Sequence, residues 1–158
     1  MTASDDDAEI RNLLAQVAHI TDGRGTLDEY ISLWTEDSVW ESSVAGSWNG
    51  HEGHLARHKR FRRAGVQGPE VESFHVLTTV FVEVDRDEAR SLSTWLLITR
   101  PGPDPKVQDV GTYTDTLRRT SSGWKLVTRK VVQGAGEWLR EAEAASNVAL
   151  PVHDEEGS

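Results

Sequence analysis

Cysteine is absent from the 158-residue sequence. That excludes a disulfide frame, a thiol nucleophile and a Cys-based zinc site, and it fits a reducing compartment. Long apolar runs are also missing, and no basic-then-apolar leader opens the chain, so a soluble, unexported, cytoplasmic protein without a membrane partner is expected. Positive charge is scarce. Lys and Arg number 17 against 26 Asp and Glu, a formal net charge of -9. A nucleic-acid partner is held by Lys and Arg neutralising its phosphates, so this balance argues against one and favours a small organic ligand. Two motif classes are wanting as well. "GRGTLD" lacks the third glycine of a dinucleotide fingerprint and follows a helix where a strand is needed, and no G-x-S-x-G elbow occurs.

What is present suffices for one domain with a core and a pocket, since a chain of this length buries roughly 68 to 70% of its unfolded surface. Ile10, Leu13, Leu14, Val17 and Ala18 recur at three- and four-residue spacing and predict an amphipathic helix ending near Thr21. Asp22-Gly23-Arg24-Gly25 breaks it, and Thr26 with Glu29 forms a capping box for a second helix. "SVWES" reads as a short strand, "SWNGHEG" as a turn, and "EGHLARHKRFRRAG" as a third helix closed by Gly65.

From Glu70 the period changes to two. Four extended segments follow, 71–84, 89–99, 107–119 and 124–133, joined by turn-forming sequences, which predicts an antiparallel meander. Helices first and sheet afterwards mean an α+β fold with the helices on one face. The domain is expected over residues 1–140. "EWLRE" carries a possible helical turn, and an acidic, mobile tail is expected over 141–158.

Alternation sorts the strand residues onto faces. It groups Ser73, His75, Leu77 and Thr79 against Phe74, Val76, Val80 and Val82; Gly111, Tyr113, Asp115 and Leu117 against Val110, Thr112, Thr114 and Thr116; and Val127 with Arg129 and Val131. The second face of the first long strand is almost wholly aromatic or β-branched, a poor surface to leave in water. A homo-oligomer, dimer or trimer, through that outer face is expected.

The order of elements, with the phrases "TDGRGTLDEYISLWTEDSVWE", "SWNGHEG", "FHVLTTVFVEVDRDEA" and "GTYTDTLRRTSSGWKLVTRKVV", resembles the SnoaL-like branch of the nuclear transport factor 2-like superfamily. The resemblance covers about residues 6 to 135. It implies a cone-shaped α+β barrel, a curved, mostly antiparallel sheet wrapped around N-terminal helices with a deep pocket inside. The superfamily includes scytalone dehydratase, hexachlorocyclohexane dehydrochlorinase, polyketide cyclases, ketosteroid isomerase, limonene epoxide hydrolase and non-catalytic dioxygenase β subunits, so the fold alone leaves function open.

In the dehydratase and the dehydrochlorinase an Asp after the first helix bonds a His near the start of the first long strand, and the resemblance puts Asp22 and His75 in those places. Arg129 matches an arginine of the dehydrochlorinase's last strand. Thr21 stands where the dehydratase has tyrosine and Val17 where the dehydrochlorinase has lysine, so neither substrate carries over. Asp115 half suggests the paired carboxylates of the epoxide hydrolase.

The chemistry expected from this set is proton abstraction. A His acting as a base near neutral pH needs a carboxylate to fix its tautomer and stabilise its charged form, and a cation such as Arg129 stabilises the group gaining negative charge. A cofactor-independent lyase or isomerase on a hydrophobic, cyclic or polyketide-like molecule is the leading expectation, with Trp40, Phe61, Leu77, Trp95, Tyr113 and Asp115 lining the pocket. The alternatives are a non-catalytic ligand-binding or assembly module, and a cyclase or epoxide hydrolase using Asp115. His51, His54 and His58 hint at a metal, but the following "KRFRR" surrounds them with positive charge. No metal is expected, and a solvated helix face is the reading preferred for this stretch.

Overall fold

The computed structural model describes residues 3–100 and 103–134. Helix α1 (Ala3–Thr21) buries Ile10, Leu13, Leu14 and Val17, the stripe its spacing predicts. Helix α2 (Leu27–Ser32) starts on the expected box: the Thr26 hydroxyl accepts from the Glu29 N–H at 3.1 Å and the Glu29 carboxylate accepts from the Thr26 N–H at 2.7 Å. Strand β1 (Trp34–Ser42) forms a hairpin with β2 (Gly46–Asn49), so "SWN", expected in a turn, is an edge strand. Helix α3 (Gly50–Arg63) ends as predicted at Gly65, whose φ of 68° lets the Val66 N–H reach back to the Phe61 carbonyl.

The meander follows as β3 (Ser73–Asp85), β4 (Glu88–Thr99), β5 (Lys106–Thr120) and β6 (Gly123–Gln133). One curved, open six-stranded sheet results, ordered β2-β1-β6-β5-β4-β3 and antiparallel throughout except where β1 runs parallel to β6. The helices cover its concave side, and between them and the sheet lies a core built on Tyr30, Trp34, Leu117, Trp124 and Leu126. The α+β class and the sheet wrapped round N-terminal helices agree with expectation. None of the helices among the described residues is long and apolar enough to cross a membrane. The expected turn at "EWLRE" and the tail over 141–158 lie outside the described residues.

Strict alternation fails at several register shifts, and two of the bulges re-aim inward-facing side chains. On β3, Thr79 and Val80 together oppose Ser93, because the pairing steps from Thr78–Thr94 to Phe81–Leu92, and Thr79 takes a φ of 46°. Before the bulge Ser73, His75 and Leu77 point inward; after it Val80, Val82 and Val84 do, while Phe81 is turned out and is 61% exposed. Val80 and Val82 therefore belong to the inner face, and Thr79 to neither regular row. On β6 the step from Thr116–Thr128 to Leu117–Leu126 leaves Val127 as the extra residue, so Arg129 and Val131 share the inner face with Leu126 and Trp124. The outer face, where a second copy is expected, carries Phe74, Val76, Phe81 and Leu92.

Candidate functional site

Asp22 is positioned by the way α1 ends. Gly23 has a φ of 87°, its N–H bonds the Ile20 carbonyl at 3.0 Å, and the Arg24 N–H bonds the His19 carbonyl at 2.9 Å. This is a Schellman closure, which requires a left-handed residue just past the helix and so selects glycine. A Cβ on Gly23 would also lie 2.5 Å from Pro69, so the joint is packed as well as bent. The closure leaves Asp22 at the helix end with its side chain against the first turns of β3.

There the carboxylate makes two contacts with one residue. Oδ2 accepts from the backbone N–H of His75 at 2.8 Å, and Oδ1 lies 2.6 Å from the ring Nδ1. The Asp22 side chain is 2% exposed and the His75 side chain 14%. Arg24 stands 3.8 Å from Oδ2 and adds positive charge behind the carboxylate. An ionised Asp can only accept, so Nδ1 carries a proton, and in the neutral ring Nε2 keeps its lone pair.

His75 stands in the wall of a cavity of about 310 Å³. Trp40, Phe61, Trp95 and Tyr113 line it too, while Leu77 packs into the core and is absent from the wall. Trp95 and Tyr113 stack at 5.6 Å between ring centres, and Gly111, opposite Trp95 on β5, makes room: a Cβ there would meet the indole at 2.6 Å. Val44 and Val66, both exposed, form the rim.

Arg129 reaches the same cavity, but it is not alone. Its Nε and Nη2 each donate to Asp115 at 2.8 Å in a two-pronged pair, and Ser91 donates to the same carboxylate at 3.2 Å. Burial opposes the guanidinium's charge, yet the charge and hydrogen bonds of Asp115 outweigh it and hold Arg129 above its ordinary value. Asp115 is 0% exposed and absent from the wall, with both oxygens committed. It orients Arg129 and has no free oxygen for the acid chemistry of an epoxide hydrolase. The guanidinium also lies 4.2 Å over the Tyr113 ring, and burial pushes the Tyr113 hydroxyl's pKa up, keeping it a donor.

The solvated-face reading of α3 is overturned. His54, Arg57 and His58 are buried, at i, i+3 and i+4, and point at the core. Burial, with the Arg57 charge next to it, pushes His54 down to about 3 and His58 down to about 2, so both rings are neutral. Arg57 donates from Nη2 to Tyr30 Oη at 2.8 Å and to His58 Nε2 at 3.0 Å. With Nε2 accepting, a neutral ring carries its proton on Nδ1, 2.7 Å from the Gln67 amide, which must present its oxygen there. His51 meets the Trp34 carbonyl and His54 the Ser38 hydroxyl, and no group of three metal-ligating side chains occurs among the described residues.

Among the wall residues that sequence reasoning missed are Tyr30, Arg57, Gln67 and Asp109. The available signal was the spacing of His54, Arg57, His58 and Phe61, an inward helical stripe written in polar and aromatic residues.

Among curated proteins none matches the chain. Solved structures do. An NTF2-like protein with a cystatin-like fold from Novosphingobium aromaticivorans superposes with a TM-score of 0.77 at 24% identity, over 87% of this chain and 88% of that one. ActVI-ORFA from Streptomyces coelicolor gives 0.68 at 21% identity, over 80% and 95%. A candidate dehydratase of the NTF2-like family from Streptomyces avermitilis gives 0.70 at 19% identity, over 85% and 99%. These likenesses establish the fold. The model of the SnoaL-like domain matches residues 2–130, most of the sequence, and the chain belongs to the SnoaL-like domain family.

Proposed function

We propose that the chain is a cofactor-independent lyase or isomerase that removes a proton from a hydrophobic, cyclic small molecule. The observation that carries this reading is the 2.6 Å contact of Asp22 Oδ1 with His75 Nδ1 beside a cavity into which His75 faces. Nε2 takes a proton next to an activating group, and the imidazolium that forms is stabilised by the buried carboxylate behind it. Negative charge developing on the substrate, on an enolate oxygen or a leaving group, is met by Arg129, which Asp115 holds rigidly, and by the protonated Tyr113 hydroxyl. His75 then returns the proton elsewhere on the molecule, an isomerisation, or to a departing hydroxyl, a dehydration. The dehydratase description of one structural neighbour supports this class of reaction.

A positioned base of this kind contributes on the order of 10² to 10⁴ in rate. In a turnover assay with cyclic β-hydroxy ketones, His75→Ala is expected to lose that factor while keeping its circular dichroism spectrum, and Asp22→Asn nearly as much. Wild-type rates in folded His75→Ala protein would remove the mechanism.

A further inference from the structure

Besides Arg129 and the exposed Arg60, the cavity wall holds a buried cation that the proton transfer does not use. Arg57 is 3% exposed, and among the described residues no carboxylate lies within salt-bridge distance of it. Its two hydrogen-bond partners, Tyr30 and His58, are both neutral, and its Nε is buried without any partner. The rings of Trp40, Phe61 and Tyr30 lie 4.4, 5.6 and 5.7 Å from the guanidinium carbon. Cation–π contact offsets part of the lost hydration, but it supplies no acceptor for the free N–H.

A buried, unpaired guanidinium is costly unless something pairs with it. Arg57 forms part of the cavity wall, so a counter-ion can approach its guanidinium from the open side. A further feature points to an accepting ligand. Tyr30 Oη, in the same wall, already accepts from Arg57, so its own proton is free to be donated. A planar fork of N–H groups suits a carboxylate, and the aromatic walls suit the rings that would carry one.

We propose that Arg57, with the Tyr30 hydroxyl, binds a carboxylate of the ligand, so that the molecule held beside His75 is an aromatic or polycyclic acid. That this acid is the one deprotonated rests on the reaction proposed above; its binding does not. Arg129 cannot substitute, because its fork is already taken by Asp115.

The test is calorimetric titration of 2-naphthoate and of its neutral counterpart 2-naphthamide into the wild type, His75→Ala and Arg57→Met. A charge-assisted contact to a guanidinium is expected to favour naphthoate roughly 10- to 100-fold in the wild type. His75→Ala, which abolishes only the base, is expected to keep that preference, and Arg57→Met to erase it. No preference in the wild type, absence of binding included, overturns the proposal; so does a preference that survives Arg57→Met or vanishes in His75→Ala. Should Arg57→Met fail to fold, Arg57→Lys keeps the charge and loses the fork. Its preference is expected to fall severalfold, and an unchanged one counts against the assignment. Failure here leaves the His75 turnover test untouched.

Discussion

Two buried arginines line one cavity from different elements, and they are opposite in kind. On the β5–β6 wall, Arg129 is clamped by Asp115 through two bonds of 2.8 Å, with Ser91 bracing the carboxylate. On the α3 wall, Arg57 leans on two neutral groups and three aromatic faces. A paired cation is geometrically fixed and nearly neutral as a unit, suited to stabilising charge that appears briefly in a reaction. An unpaired one keeps its full field and its free donors, suited to holding a charge that arrives with the ligand. The contrast turns on one residue, the Asp115 carboxylate, which the α3 wall lacks.

Four measurements can break or sharpen that contrast. Removing the carboxylate from the paired side has the largest expected effect: Asp115→Asn strands Arg129 as an uncompensated buried charge and is expected to cost about 3–5 kcal/mol in urea unfolding. A loss under about 1 kcal/mol would mean that the two arginines are alike after all.

Acid tests the other wall. His54 and His58 are held down to about 3 and about 2 when folded, mainly by burial, against 6.5 for the unfolded chain. Between those limits the unfolded state binds protons that the folded state refuses, so this stability is present above pH 6.5 and falls as pH drops. Each ring adds a slope approaching about 1.4 kcal/mol per pH unit. Unfolding midpoints measured from pH 7 to pH 4 are expected to fall steeply, and His58→Phe to blunt the slope; a flat profile would show that the rings reach water.

Gln67→Leu comes next, expected to cost about 1–3 kcal/mol by leaving the His58 Nδ1–H buried without an acceptor. A change within a few tenths of that of a surface mutant would detach Gln67 from the network. Smallest of all should be Arg57→Met. It relieves an unpaired buried charge while depriving Tyr30 and His58 of a donor, and the thermal midpoint of unliganded protein is expected to stay within about 1 kcal/mol of wild type. A loss of several kcal/mol would give Arg57 a structural task instead of a binding one.

Much of the fold was legible before any coordinates. The apolar stripe of α1, the box at Thr26 and Glu29 and the glycine at 65 are local signals, in which residues a few positions apart decide the backbone. The meander was legible because period-two patterning survives over most of each strand. It misled where an extra residue enters a strand: nothing local marks Thr79 or Val127 as a bulge, and each displaces the side chains beyond it. At the site, Asp22 and His75 are separated by 53 residues, so only the resemblance to SnoaL-like proteins linked them. The α3 wall stayed hidden because hydropathy reads His54, Arg57 and His58 as water-seeking, whereas here each polar atom that finds a partner finds it indoors.

By itself the sequence determined the helices with their caps, the run of four long strands, and a joint where a carboxylate must follow α1. Those follow from steric preference and from the burial of apolar stripes, which act over a few residues. Tertiary structure alone decided which charges meet: that Asp115 neutralises Arg129, that α3 turns its histidines inward, and that Arg57 is left facing the cavity without a counter-ion. Electrostatic partnership depends on distance in space, and the chain's order along its length carries no measure of that.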